Sequence, residues 1–314
     1  MKTMKFNYVR FGIFIAIVIS IIVGIVILIN HINYTKTYEY KLLQIGYNED
    51  EIKIIESKLN DKDKDILLKK EYNTMYVSFF EEKYFIFSNL EKYLEYKSDN
   101  DEISNTEVVS IINTEANIDW FDNEKETDIS KGELMLVNRM YGLSSDYEPN
   151  DIIEVPIKYA YSGKKLRSVV VDNLALLCDA ASEEGYTFVV SEGYRTYKEQ
   201  TDLYNSYAES YGKSEADLYV ARPGHSEYET GLSLDLVPYN KEYKKPMESK
   251  EYIWLRENAY KYGFIFRFDE EKEELTKFSA DTWRLRYVGV DASTLINNEK
   301  ICYEEYYAYF VRGK

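Results

Sequence analysis

The stretch Arg222-Pro-Gly-His-Ser-Glu-Tyr-Glu-Thr-Gly-Leu-Ser-Leu-Asp235 decides how this chain is read. Ser226, Gly231 and Asp235 stand in the pattern S-x-x-x-x-G-x-x-x-D, and residues 232–237 alternate with period two. A strand with that pattern sends Leu232, Leu234 and Leu236 to one face and Ser233 and Asp235 to the other. Two readings of Asp235 are open: a solvent-facing carboxylate on an edge strand, or a site residue at the end of a glycine-led strand.

Three further segments flank it. Upstream, Ser191-Glu-Gly-Tyr194-Arg195-Thr-Tyr-Lys-Glu-Gln200 leads from an apolar strand, Thr187-Phe-Val-Val-Ser191, into a tyrosine-rich helix expected over 197–212. A guanidinium there offers fixed donors and a permanent charge to any developing anion, although an Arg at a helix start is commonly a surface ion-pair partner. Downstream, Trp254-Leu-Arg-Glu-Asn-Ala-Tyr-Lys-Tyr-Gly-Phe264 reads as a helix over about 249–262, closed by Gly263. Last comes Asp281-Thr-Trp283-Arg284-Leu-Arg286-Tyr-Val-Gly289. As a strand it puts Trp283, Leu285 and Tyr287 on one face and Arg284 and Arg286 on the other.

These four segments, in this order, resemble the VanY-type D-alanyl-D-alanine carboxypeptidases, zinc peptidases of the LAS/hedgehog-like fold. The resemblance covers roughly 131–314. It implies an α+β domain with a small antiparallel sheet, and peptidoglycan stem peptides as the ancestral substrate. In that family the organising stretch reads S-x-H-x-x-G-x-A-x-D, with the His and the Asp on zinc, and the last segment reads E-P-W-H-x-R-Y-V-G, with its Glu as general base and its His as third ligand. By position, Asp235 is then the one retained zinc ligand, Tyr228 and Arg284 occupy the other two ligand places, and Asp281 stands in the place of the base. Arg195 inherits the oxyanion-stabilising position, and Tyr194, Gln200, Ser226 and Trp283 join it as substrate-binding candidates. The 191–200 segment carries one residue extra before Gly193.

Zinc needs three protein ligands in a catalytic site, and an Arg has no lone pair to give. The expectation is therefore a zinc-less pseudoenzyme with no cofactor, its pocket held by an Arg284 charge opposite Asp235, binding a stem peptide or an extracytoplasmic protein. An active D,D-carboxypeptidase with a non-standard zinc site is the alternative, with His225, Glu227 or Glu229 as substitute ligands. The chain holds only two histidines, His31 and His225, which leaves that route little to draw on. A third reading is a scaffold acting through the N-terminal half.

The 314 residues are 45% hydrophobic and 30% charged, the composition of a folded chain long enough for two domains. A net charge of −16 argues against nucleic acid as a partner. The 32 tyrosines read as compositional bias and not as a functional surface. Cys178 and Cys302 show no C-x-x-C spacing and read as two buried thiols, with pairing left open.

Phe11 to Ile29 is a run of 19 uncharged residues, close to what a ~30 Å hydrocarbon core requires. Lys2, Lys5 and Arg10 precede it, and no Lys or Arg follows before Lys36. The positive-inside rule places a 1–10 tail in the cytoplasm and the body outside. With no small-x-small site after Ile29, residues 11–30 read as an uncleaved anchor, a cleaved signal peptide being the alternative. The resemblance implies that the membrane is a bacterial cell membrane. Residues 36–115 carry apolar positions three and four apart in an acidic background and read as a helical spacer module. A polar break at 98–107 and another at 119–132 precede the domain expected over 131–314.

Overall fold

A computed structural model describes residues 8–313. Residues 1–7, including Lys2 and Lys5 of the expected tail, lie outside the described residues. Helix α1 (Tyr8–Tyr34) contains the uncharged run and buries none of its residues within the protein. It is long and apolar enough to cross a membrane.

The chain divides into two compact units at Val109/Ser110. The first, beyond α1, is all helical: α2 (Tyr38–Ile45), α3 (Glu49–Lys58), α4 (Asp61–Leu67), α5 (Thr74–Phe80), α6 (Leu90–Asp99) and α7 (Asn105–Thr114), within which the division falls. Local chemistry starts these helices. Asn48 accepts from the Asp50 and Glu51 amides while Glu51 returns a bond to the Asn48 amide, a reciprocal cap. The apolar positions close on a core of Leu42, Ile55, Leu67, Phe79 and Phe80.

In the second unit, two short pairs, β1 (Lys125–Glu126) with β2 (Tyr141–Gly142) and β3 (Ile152–Glu154) with β4 (Lys165–Arg167), precede helix α8 (Ser168–Glu183). The main sheet is wholly antiparallel, ordered β5 (Phe188–Glu192), β6 (Ser233–Pro238), β8 (Asp281–Tyr287), β7 (Phe264–Phe268). Between its strands run α9 (Tyr197–Tyr211), α10 (Lys213–Tyr219), α11 (Lys250–Asn258) and α12 (Glu273–Thr276). The chain closes with α13 (Val290–Glu299) and α14 (Tyr303–Tyr306), which continues as a π-helical turn over Tyr307–Val311.

The architecture is the expected α+β one. Leu232, Leu234 and Leu236 pack against Val170, Leu174, Leu177 and Ala181 of α8 and against Trp254 and Leu255 of α11. The other face holds Ser233 and Asp235 on β6, opposite Arg286 and Arg284 on β8. Two expected elements differ in detail. The helix over 249–262 is regular only to Asn258, whose amide bonds the Trp254 carbonyl, and finishes as a 3₁₀ turn that ends on Gly263 at φ 88°. The 197–212 helix ends at Tyr211 and turns at Gly212 (φ 91°) into α10, which periodicity did not reveal. Both cysteines are free and buried.

Candidate functional site

The segment before Gly193, where the resemblance counts one residue extra, carries a β-bulge. The β5–β6 register shifts between Val190 and Glu192, so that Glu192 pairs with Asp235 across the strands. The next strand pairs Asp235 with Arg284. A row Glu192–Asp235–Arg284 therefore crosses β5, β6 and β8. It lies in the wall of a cavity of about 460 Å³, which Arg195, Gln200, Ser226, Tyr228, Phe268, Phe278 and Asp281 also line.

Arg284 dominates this cavity. Its Nε donates to Asp235 Oδ1 at 2.6 Å, and its Nη2 stands 2.9 Å from Asp281 Oδ2. The Tyr228 hydroxyl donates to the same Asp235 oxygen at 2.7 Å. The guanidinium lies over the Tyr228 ring, 4.3 Å from its centroid, and that of Arg195 lies over the same ring at 4.7 Å. Burial raises the Tyr228 phenol well above its ordinary value; Arg284 opposes the shift and Asp235 adds to it. Burial also raises the Asp281 carboxyl, with Arg284 pulling it down and Asp235 pushing it up.

Arg195 is set by the start of α9. Thr196 caps that helix with Glu199 in a reciprocal pair, and Arg195 Nη1 donates to Gln200 Oε1 at 2.7 Å. Gln200 in turn donates to the Ala221 carbonyl at 2.6 Å. Arg195 Nη2 stands 3.6 Å from Glu192 Oε2. Ser226 opens the 3₁₀ turn carrying Tyr228, and Glu229 ties that turn together, accepting from the Gly224 amide at 2.9 Å and the Ser226 amide at 3.3 Å. Burial pushes the Glu229 carboxyl up to about 7, against the pull of those two amides.

A family model described as VanY, D-alanyl-D-alanine carboxypeptidase, matches residues 163–290. The bifunctional D-Ala-D-Ala dipeptidase and carboxypeptidase VanXYC of Enterococcus gallinarum is 30% identical over 184 residues, 57% of this chain and 95% of that protein. The chain belongs to the VanY D-alanyl-D-alanine carboxypeptidase family. YodJ of Bacillus subtilis (strain 168), named as a carboxypeptidase, is 35% identical over 184 residues, 55% of this chain; the match spans 66% of YodJ, just under two thirds. A solved structure of the LdcB LD-carboxypeptidase, described as revealing the molecular basis of peptidoglycan recognition, is 32% identical with a TM-score of 0.56, covering 60% of this chain and 91% of that one.

The residues in the VanY metal position do not fit zinc. Arg284 has no lone pair to offer, its charge repels a cation, and it already holds the Asp235 oxygen that a metal would take. Tyr228 spends its hydroxyl proton on that oxygen. His225 does not stand in: its Nδ1 bonds the Asn138 carbonyl at 2.8 Å, its Nε2 lies 3.8 Å from Glu124, and its ring covers Gly142, where a Cβ would sit 2.8 Å from Cε1. Glu227 is fully committed elsewhere. It accepts from Arg267 Nε at 2.9 Å and from Ser233 at 3.0 Å, with Arg286 Nη1 in ion-pair contact at 3.4 Å. Arg267 also reaches Glu304 at 3.0 Å, so two carboxylates and two guanidinia balance in the interior. Glu229 holds the turn.

Two substrate-binding candidates fall outside the cavity lining. Trp283 is not in the cavity wall: strand alternation turns it to the other face of β8, where it meets Tyr252 edge-on at 5.8 Å and packs on the core. Tyr194 does not line the cavity either; its backbone amide donates to the Lys165 carbonyl at 2.7 Å. Arg286 shares the face of Arg284 yet donates to the Glu133 and Met135 carbonyls beneath the sheet. Glu192, Phe268 and Phe278 were missed. The one-residue insertion before Gly193 was the available signal for Glu192; nothing local marks the two aromatics.

Proposed function

We propose that this chain is a membrane-anchored, extracytoplasmic VanY-family pseudoenzyme, without zinc, which binds peptidoglycan stem peptide in the cavity beside Tyr228. One observation carries the reading: Arg284 replaces the third ligand and is bonded to both Asp235 and Asp281. A permanent cation thus supplies the positive charge that keeps two half-buried carboxylates in place, so the pocket keeps its shape without metal. Amide hydrolysis by the family's chemistry needs a metal-bound nucleophile and a Lewis acid, and this ligand set offers a home to neither.

The peptide's terminal carboxylate is the natural partner of Arg195. That side chain is held by Gln200 through Nη1, stands near Glu192 through Nη2 and lines the cavity. Recognition of peptidoglycan by the LdcB structure supports the same ligand class here. Helix α1 serves as the anchor, and the cations before it put the N-terminus in the cytoplasm.

The test is metal analysis and titration of the full chain in lipid nanodiscs. After dialysis against zinc the protein should carry no stoichiometric metal and release no D-Ala from a pentapeptide ending in D-Ala-D-Ala. It should nonetheless bind that peptide, and Arg195→Ala should lose the binding. Stoichiometric zinc with D-Ala release refutes the pseudoenzyme; a wild-type chain that ignores the peptide refutes the ligand.

A further inference from the structure

Next to the cavity stands a surface the stem-peptide reading does not use. On α9, Leu203, Tyr207 and Tyr211 fall at positions i, i+4 and i+8, one stripe along the helix. Eight residues at 1.5 Å make that stripe about 12 Å long. It begins at Leu203, which lines the cavity, and α10 brings Leu218 and Tyr219 into the same wall. Tyr207 lies between the other two tyrosines, with ring centroids 4.7 Å from Tyr211 and 6.2 Å from Tyr219. Tyr211 and Tyr219 are each 66% exposed, and Leu218 is 54% exposed.

Packing of the hairpin does not require this stripe. Its inner side is already filled by Gln200, Tyr204 and Ala216, and the Tyr204 hydroxyl bonds Asp217 at 2.8 Å. The rings therefore form an open aromatic platform continuous with the cavity. Its chemistry is apolar faces rimmed by hydroxyls, with exposed Glu209 and Glu215 alongside. Acidic neighbours disfavour an anionic surface. Flat rings with a polar edge suit a neutral ligand that presents C–H faces and many hydroxyls.

We propose that the α9–α10 platform is a glycan subsite: pyranose rings stack on Tyr211 and Tyr219 while the peptide attached to the sugar enters the cavity. The proposal rests on the stem-peptide reading of that cavity. It also assigns a use to two tyrosines that composition alone marked as bias.

The test titrates the full chain in nanodiscs, free of glycosidic detergent, with three probes: the pentapeptide, the same pentapeptide on its GlcNAc-MurNAc disaccharide, and a peptide-free oligomer of the glycan. The wild type should bind the disaccharide-peptide about tenfold more tightly than the bare peptide, the size of one or two aromatic contacts. Tyr211→Ala/Tyr219→Ala should erase that preference; Tyr211→Ala alone, at a ring outside the cavity lining, should weaken it and leave bare-peptide affinity unchanged, while Tyr211→Phe/Tyr219→Phe, which keeps the rings, should retain most of it. Equal affinity for both peptides, or a preference that survives the alanine pair, overturns the subsite. So does a change of sedimentation in the alanine pair, which would make the face a self-contact. If bare peptide fails to bind but the glycan oligomer binds through the tyrosines, the cavity reading falls and the subsite stands. Binding of none of the three overturns both.

Discussion

Replacing Arg284 by Met tests the core of this account. Met keeps the apolar stem and removes the charge. Two charge-assisted contacts are lost, at 2.6 Å to Asp235 and 2.9 Å to Asp281. Such bonds are each worth about 1.5–3 kcal/mol, and stranding a buried carboxylate costs about 3–5 kcal/mol. Asp281 is 35% exposed and Arg284 and Asp235 20% exposed, so solvent screens part of this, and Asp235 keeps the Tyr228 hydroxyl. The expected loss is about 3 kcal/mol at neutral pH. The three tryptophans, Trp120, Trp254 and Trp283, all lie in the second unit, so their fluorescence in a urea titration reports that unit alone. Asp235→Asn in the same background should recover roughly half the loss, a coupling of about 1.5 kcal/mol. The deficit should also shrink in acid. With the cation gone, nothing opposes the burial that already raises the Asp281 carboxyl; a raised carboxyl contributes stability below the unfolded pKa and loses it as pH rises. A loss below about 0.5 kcal/mol, or a coupling near zero, would refute the claim that Arg284 holds the pocket in place of a metal.

The remaining predictions concern the same neighbourhood. Tyr228→His with Arg284→His and Asp281→Glu should bind stoichiometric zinc, read by metal analysis after gel filtration; failure of the triple variant means the strand row no longer holds the ligand geometry. Glu229, pushed up to about 7 from the ordinary carboxyl value of 4.5, stabilises most while protonated in the folded state, and that benefit falls as pH rises from 4.5 to 7. Glu229→Gln should therefore gain on the wild type across that window, by on the order of 2 kcal/mol at the upper end; a difference independent of pH counts against the buried acid. Gly193→Ala would place a Cβ 2.6 Å from the Lys165 carbonyl oxygen, a backbone atom that cannot swing away. It should cost about 2 kcal/mol in the same fluorescence titration and weaken peptide binding through Arg195; a neutral substitution would show that the bulge is looser than drawn.

Much of the fold was legible because its signals are local. Alternation from Leu232 to Leu236 assigned a core face to β6, and Asp235 to the opposite face, before any partner was known. The helical period and the capping residues placed α8, α9 and α11 to within a few residues. Helix α10 escaped because seven residues are too few to display a period. Trp283 was drawn toward the ligand by the motif around it, whereas its strand parity, legible in the same residues, agreed with the structure.

What the sequence by itself determined is the identity of each group near the site: a carboxylate at 235, a phenol at 228 and a permanent cation at 284, in segments whose order marks the VanY family. Those facts follow from residue type and spacing, which need no folding to be true. Only the tertiary structure decided how the cations are spent. Arg284 and Arg286 are two residues apart on one face of one strand. Yet the first lies opposite Asp235 at a cavity, and the second lies opposite Ser233, beneath the carbonyls of Glu133 and Met135. Their partners come from distant parts of the chain, brought near by sheet register and burial, and no local pattern carries that information.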